Sequence, residues 1–374
     1  MSTAIPRRAL LQSAALGAAA LRAPLARAVP RNALPRWRGF NLLYYFQAMQ
    51  WDGKPVAIPE EDFRMIAELG FDFVRIPMDY WYWADPAWLS TRKLTPEGAV
   101  KFNEQMLAGV DTIVEYARKY ALHVSLNLHR APGYCINNNE REPFSLWTDK
   151  AAEDAFVLHW EMLAKRYRAL RPSELSFNLV NEAPTPRDGF MTREDYRRVM
   201  SRATGAIRAI TPDRTIIIDG LDVGNKVVYE MMPTGVAQSV HAYYPPEVSH
   251  YRAGWVDKRK DYPNPWWPAV KRDGSALISR DDLEKHYEPW AWLVQQGIGV
   301  HCGEAGCFNK TPHEVFLRWM CDVLDILKQH NIGWALWNFR GSFGLVDSQR
   351  EDAPYDDFMG HKIDRKLLTL LQYH

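Results

Sequence analysis

Eight short apolar runs alternate with longer amphipathic stretches, and that rhythm leaves this chain few ways to fold. The runs are 37–42, 71–77, 123–129, 175–181, 215–219, 239–243, 299–303 and 333–337. They have strand length, and several are bounded by Pro, Gly, Asn or Asp. Between them, 60–69, 101–119, 151–170, 193–210, 280–296 and 312–330 carry apolar residues at helical spacing with charges opposite. Strand–helix alternation on this scale argues for a parallel sheet, and eight strands that close on themselves form a (β/α)8 barrel. The expected fold is therefore α/β, a single barrel domain over 29–374 with extended loops on its C-terminal face. The weakest helical segment is 226–232. The stretch 244–279 holds Trp255, Trp266, Trp267 and several prolines without a clear period, and reads as a loop over the active face.

In such a barrel the reactive groups lie where strands end. The polar and aromatic residues there are Asn41, Arg75, His129 and Arg130, Asn181 and Glu182, Asp219, His241 and Tyr243, Glu304, Trp337 and Asn338. Glu182 and Glu304 each follow an apolar run and precede Pro or Gly within two residues. A carboxylate at such a place is costly unless it is paired or used. Two of them at the ends of similar strands suit glycoside hydrolysis, with Glu182 as acid and base and Glu304 as nucleophile. Arg75 and Tyr243 would donate to Glu304 and keep it charged, so Glu304 is expected to titrate below Glu182. Each residue also has a plainer reading. Glu182 reads as a surface loop carboxylate, Arg75 and Glu304 as a buried structural ion pair, and His129 and His241 as core histidines. Asn181 reads as a strand-end cap and Trp337 as core packing. Trp334 is assigned to the core.

The chain carries 46 basic and 45 acidic side chains, which gives no argument for nucleic acid or an anionic membrane surface. Trp147, Trp255, Trp266 and Trp267 on candidate loops suggest platforms for the flat faces of β-linked sugars, so the expected partner is a carbohydrate substrate. The four cysteines show no zinc spacing, and three full pairings are open to them. No metal, cofactor or obligate protein partner is expected. Residues 1–28 read as an export signal: Arg7-Arg8, then an Ala/Leu-rich run, then Ala26-Arg27-Ala28. The paired arginines suggest twin-arginine export to the periplasm or beyond, although Pro6 and Gln12 depart from that pattern and an ordinary secretory signal fits the same residues. The apolar run is too short for a stable membrane anchor.

Taken together, Arg38-Gly39-Phe40-Asn41, Val74-Arg75-Ile76-Pro77, Leu126-Asn127-Leu128-His129, Asn181-Glu182, His241-Ala242-Tyr243, Gly303-Glu304 and Trp337 resemble the strand-end motifs of glycoside hydrolase family 5. The resemblance spans nearly all of 29–374. It implies a retaining (β/α)8 enzyme that cleaves β-glycosidic bonds without a metal, as cellulases do, with Arg75, His129, Asn181, His241, Tyr243 and Trp337 supporting the two glutamates. Asn41, Arg130, Trp147, Trp255, Trp266, Trp267, Asn338 and Arg340 are further subsite candidates.

Some features depart from better-known cellulases. Arg130-Ala131-Pro132-Gly133-Tyr134-Cys135 follows the histidine, and Arg340 follows Trp337. These two arginines would form a local anion site. Strand alternation would turn Cys302 the same way as Glu304. Long loops at 135–150 and 244–279 would close one end of a cleft and favour exo action on a branched or short glycan. Two rivals of other classes remain at this level. His129, Glu182, His241 and Glu304 would ring a divalent cation in a metal-dependent barrel. A barrel that binds carbohydrate without cleaving it is the other.

Overall fold

A computed structural model describes residues 31–137, 142–258, 263–271 and 273–374. The expected export segment, 1–28, lies outside them. Eight parallel strands close into a barrel: β1 (Arg38–Asn41), β2 (Phe73–Asp79), β3 (His123–Ala131), β4 (Leu175–Asn178), β5 (Thr215–Asp219), β6 (Ala237–Ala242), β7 (Val300–Ala305) and β8 (Gly333–Leu336). Closure comes from β1, which pairs with both β2 and β8. The strands are buried nearly throughout, as parallel strands covered by helices must be.

The outer layer is α1 (Glu60–Glu68), α2 (Glu104–Lys119), α3 (Lys150–Arg166), α4 (Arg193–Ile210), α5 (Arg280–Gln295), α6 (His313–Gln329) and α7 (Arg365–Tyr373). Their starts are chemically marked. Thr192 with Asp195 and Ser279 with Asp282 form capping boxes, and Asn103 and Asp364 accept from first-turn amides. The weak segment near 226–232 is a short 3₁₀ stretch, Tyr229–Thr234, broken by Pro233. The 244–279 loop contains one helical turn, Pro246–Ser249, and a small hairpin that pairs Ala269–Val270 with Leu277–Ile278. No helix among the described residues is long and apolar enough to cross a membrane.

Two irregularities in the sheet aim side chains. In β3 the pairing slips so that Met78 faces Leu128 but Asp79 faces Arg130, which leaves His129 as the extra residue. In β7 it slips between Cys302 and Glu304 against β6, with Gly303 as the extra residue. A Cβ at Gly303 would fall 2.5 Å from Ser239 Oγ, so any larger residue would have to displace that hydroxyl. The bulge cancels the two-residue alternation. Cys302 therefore turns into the apolar layer, where Tyr287 of α5 is an electrostatic neighbour, while Glu304 points into the barrel. The expectation that the two face the same way is corrected by this extra residue.

Candidate active site

Arg75 organises the floor of the barrel mouth. It is buried on β2 and spends its guanidinium on four acceptors from three other segments. Nη1 donates to Glu304 Oε1 at 2.8 Å and to Asn41 Oδ1 at 2.9 Å. Nε donates to Asn178 Oδ1 at 2.8 Å, and Nη2 to Asn181 Oδ1 at 2.7 Å. The planar fork suits this many fixed acceptors as an ammonium would not. Asn41 in turn donates to the carbonyls of Gly303 and Leu336, which ties β1 to the two strands bearing Glu304 and Trp337.

Glu304 also accepts from the Tyr243 hydroxyl at 3.0 Å. The expectation that these donors hold the Glu304 carboxyl low left out its depth. Burial pushes the Glu304 carboxyl upward, His241 and Arg75 pull it down, and Glu182 and Asp219 push it up again; the net direction is up. Burial, and then Glu304 and Glu182, hold the Tyr243 phenol well above its ordinary range, so it donates.

Glu182 stands beyond the end of its strand. β4 ends at Asn178, earlier than the run 175–181 suggested, and the chain continues across the barrel mouth. Leu179 N–H donates to Ile217 O and Asn181 N–H to Leu128 O, which keeps this extension in line. Glu182 itself has φ +47°, uncommon for a side-chain-bearing residue. Its amide donates to Asp219 Oδ2 at 2.9 Å, and its carbonyl accepts from the Tyr134 hydroxyl at 2.6 Å.

His241 lies between the two glutamates. Nδ1 is 3.0 Å from Glu182 Oε1 and 3.6 Å from Glu304 Oε2. Nε2 is 3.2 Å from Asp219 Oδ2 but poorly aligned with it, a charge contact more than a formed hydrogen bond. Burial alone would lower the imidazole, but Glu304, Asp219 and Glu182 outweigh it and raise it to about 10. One carboxylate oxygen each from Glu182 and Glu304, with a His241 nitrogen, lie within 4.8 Å of one another. Arg75 Nη1, 2.8 Å from Glu304 Oε1, already sets a fixed cation beside this trio.

The raised imidazole has a testable consequence. From an ordinary value of 6.5 to about 10, the shift contributes stability that is fully present below 6.5 and is lost as pH rises through about 10. The unfolding midpoint should fall across that window, and His241→Gln should flatten the fall. Calorimetry against pH would show it; equal slopes would discard the protonated imidazole.

The sequence profile for Cellulase (glycosyl hydrolase family 5) matches residues 30–342. The chain belongs to glycosyl hydrolase family 5. It is a retaining glycoside hydrolase. Endoglucanase C of Acetivibrio thermocellus is 27% identical over 306 residues, covering 76% of this chain and 84% of that protein. Cellodextrinase A of Ruminococcus flavefaciens is 22% identical over 284 residues, covering 74% and 76%. A crystal structure described as a glycoside hydrolase superimposes with TM-score 0.83 at 40% identity, covering 90% of this chain and 98% of that one.

Around this family 5 centre the aromatic candidates divide. Trp337 is half-buried; its ring is tilted 5.6 Å from His129 and meets Phe46 edge-on at 5.4 Å. Phe46 also meets His129 edge-on at 4.7 Å and is a site neighbour that sequence reasoning missed. It lies past β1 in irregular chain, where no period marks it. His129 is neutral: burial, then the charges of Arg75 and His241, hold it well below its ordinary value. Trp255 is 63% exposed and packs edge-on against Phe308 at 4.8 Å. Phe343 and His250 connect it back to Tyr243. Trp334 is fully buried, as expected.

Other candidates do not serve as expected. Trp147 is buried against Tyr134 and Tyr196, so it offers no open platform. Trp267 is also buried, and its Nε1 donates to Asp322 on α6, in the outer layer. Trp266 beside it is exposed. Arg130 is held by the buried carboxylates of Asp79 and Glu142, and Arg340 by Asp62 and Asp347. Their charges are matched within the protein, so the anion site expected from them does not form. Asn338 packs into the turn after Trp337, where Cβ atoms at Gly341 and Gly344 would meet its amide. No disulfide joins any of the four cysteines.

Proposed function

We propose that this family 5 enzyme hydrolyses a neutral β-linked glucan by double displacement, with Glu304 as nucleophile and Glu182 as acid and base. The observation that carries the reading is the pair of carboxylates within 4.8 Å, bridged by His241. Retaining glycosidases place their two carboxyl groups about 5–5.5 Å apart, whereas inverting ones need room for a water between them.

In the first step Glu304 attacks the anomeric carbon. The glycosidic C–O bond breaks, and Glu182 gives its proton to the departing oxygen. In the second step Glu182 takes a proton from water, whose oxygen attacks the same carbon and releases Glu304. Asn181 stands beside Glu182 with its Nδ2 unpartnered, free to donate to a sugar hydroxyl. Trp337 offers the sugar a flat apolar face, and Trp255 a second, more distant one. The endoglucanase and cellodextrinase names of the relatives support a β-glucan as substrate. The segment 1–28 directs export in this reading, on the strength of its arginine pair and small-residue cleavage site.

Glu182→Gln separates the two steps. Hydrolysis of β-glucan should fall about 10²–10⁴-fold, the range that positioned acid–base catalysis supplies. A dinitrophenyl glycoside needs little protonation, so it should still load the enzyme and leave a sugar on Glu304, visible by mass spectrometry of the peptide. Equal losses on both substrates, with no adduct, would remove Glu182 from the acid role. Product stereochemistry by NMR and a panel of β-glucan, mannan, xylan and short oligosaccharides would test the substrate and the exo alternative.

A further inference from the structure

We propose that Asp219 is a positioning residue for the reaction: it fixes the backbone of the acid/base glutamate and the charge and orientation of His241 at once. The inference rests on the roles proposed above for Glu182 and Glu304.

Asp219 is the last residue of β5 and is fully buried. Its carboxylate reaches three neighbours that the mechanism depends on. Oδ2 accepts the Glu182 amide at 2.9 Å and lies 3.2 Å from His241 Nε2, and Oδ1 accepts from Asn178 Nδ2 at 2.8 Å. Asn178 is the residue that receives Arg75 Nε. Arg75 Nη2 is itself 3.7 Å from Asp219 Oδ2. The backbone of Asp219 is pinned as well, since its carbonyl accepts from the Tyr196 hydroxyl on α4 at 2.6 Å.

The chain beyond Asp219 supports the same purpose. Asp222, Val223 and Gly224 have φ of +57°, +53° and +82°. For a β-branched valine that conformation is a genuine outlier, the kind that persists only where its surroundings hold it. Val223 N–H donates to Ala183 O, next to Glu182, at 2.9 Å. Gly224 lies so close to His241 that a Cβ there would come within 2.8 Å of the ring. The end of β5 and its turn therefore hold Glu182 from below and His241 from the side.

A neutral imidazole at this point would have one proton for several acceptors. The charged groups facing His241 are Glu182 from the β4 extension, Glu304 from β7 and Asp219 from β5. Arg75 joins Glu304 and Asp219 from the far side, and Tyr243 and His129 complete the surroundings. Of the three carboxylates, Glu182 and Glu304 change charge or become bonded during turnover, and Asp219 does not. Burial would push the Asp219 carboxyl up, but His241, Arg75 and the Glu182 amide hold it well below the usual range. It is the constant negative charge that keeps Nδ1–H aimed at the two working carboxylates through the cycle.

The test is Asp219→Asn in the full chain, assayed on β-glucan and on 2,4-dinitrophenyl β-cellobioside. Rates are expressed per site labelled by a 2-deoxy-2-fluoro glycoside, so that misfolded protein is not counted. On β-glucan kcat should fall about 100-fold, with KM moved less than about threefold. On the dinitrophenyl substrate the fall should be about tenfold, because its departure needs little proton donation. The base limb of the kcat/KM profile should move to lower pH, and Asp219→Asn should not move it further when His241 is already Gln. Wild-type kcat, or equal falls on both substrates with the limb unmoved, would overturn the proposal. If Asp219→Asn yields no labelled sites, Asp219→Glu replaces it, since it keeps the charge and misplaces it. A lowered kcat with the limb in place supports the positioning role, and wild-type kcat overturns it. Wild-type protein that cleaves neither substrate would instead sink the glycosidase assignment on which this rests.

Discussion

Glu304→Gln should lower turnover by about 10⁴-fold or more on every substrate, activated or not, because both steps pass through a bond to this carboxylate. The fold should survive the change. The amide oxygen of glutamine can still accept from Arg75, and its NH₂ group can meet the Tyr243 oxygen. Stability should even shift in favour of the variant as pH rises. Burial raises the folded-state titration of Glu304, so its stabilising contribution is complete below the unfolded value of 4.5 and declines as pH climbs through the raised one. Glutamine does not titrate, so the difference in melting temperature should grow toward the variant with pH. Residual activity within tenfold of wild type, or a glycosyl adduct found elsewhere than on Glu304, would overturn the assignment.

Arg75→Met should damage folding and catalysis together. It removes the cation nearest to Glu304 and one of the two beside Asp219, and orphans the side-chain oxygens of Asn41, Asn178 and Asn181. Removing one partner of a buried pair leaves an uncompensated charge and typically costs about 3–5 kcal/mol. Denaturant unfolding should show a loss of that size. The acid limb of the rate profile should also move to higher pH, because Glu304 loses a group that lowers its titration. Arg75→Lys restores the charge but not the fork, so it should recover part of the stability and little of the rate. A variant as stable as wild type, with an unmoved acid limb, would show that Arg75 is not the hub its contacts describe.

The barrel was legible because each strand is an apolar run and each helix shows a clean face. The strand at 215–219 and the helix at 193–210 match the structure residue for residue, the helix starting beside its capping box. Strand ends were less legible. Asn178 looked like an interior residue of a longer strand, although it is the terminal one and a partner of Arg75. Asp219 was seen at a strand end, but nothing in the sequence says that its carboxylate meets the amide of a residue 37 positions earlier. The two arginines expected near substrate had their counter-charges hidden in distant chain: Arg340 pairs with Asp62, 278 residues away. Tryptophans on loops looked like platforms, yet Trp147 and Trp267 are packing residues, because a large apolar ring is worth more buried than exposed. Bulges leave no periodic trace at all, and both of those described here sit at residues of the site.

The extra residue at Gly303 also decides which atoms an electrophile can meet. Two strong nucleophile types, a carboxylate and a thiol, sit two positions apart on β7. Without the bulge both would line the same wall. With it, Cys302 faces the helices, where burial pushes its thiol up to about 12 and keeps it protonated. Epoxide or aziridine sugars delivered to this pocket should therefore esterify Glu304 and leave the Cys302 sulfur untouched, so that the mass they add reports on the carboxylate alone.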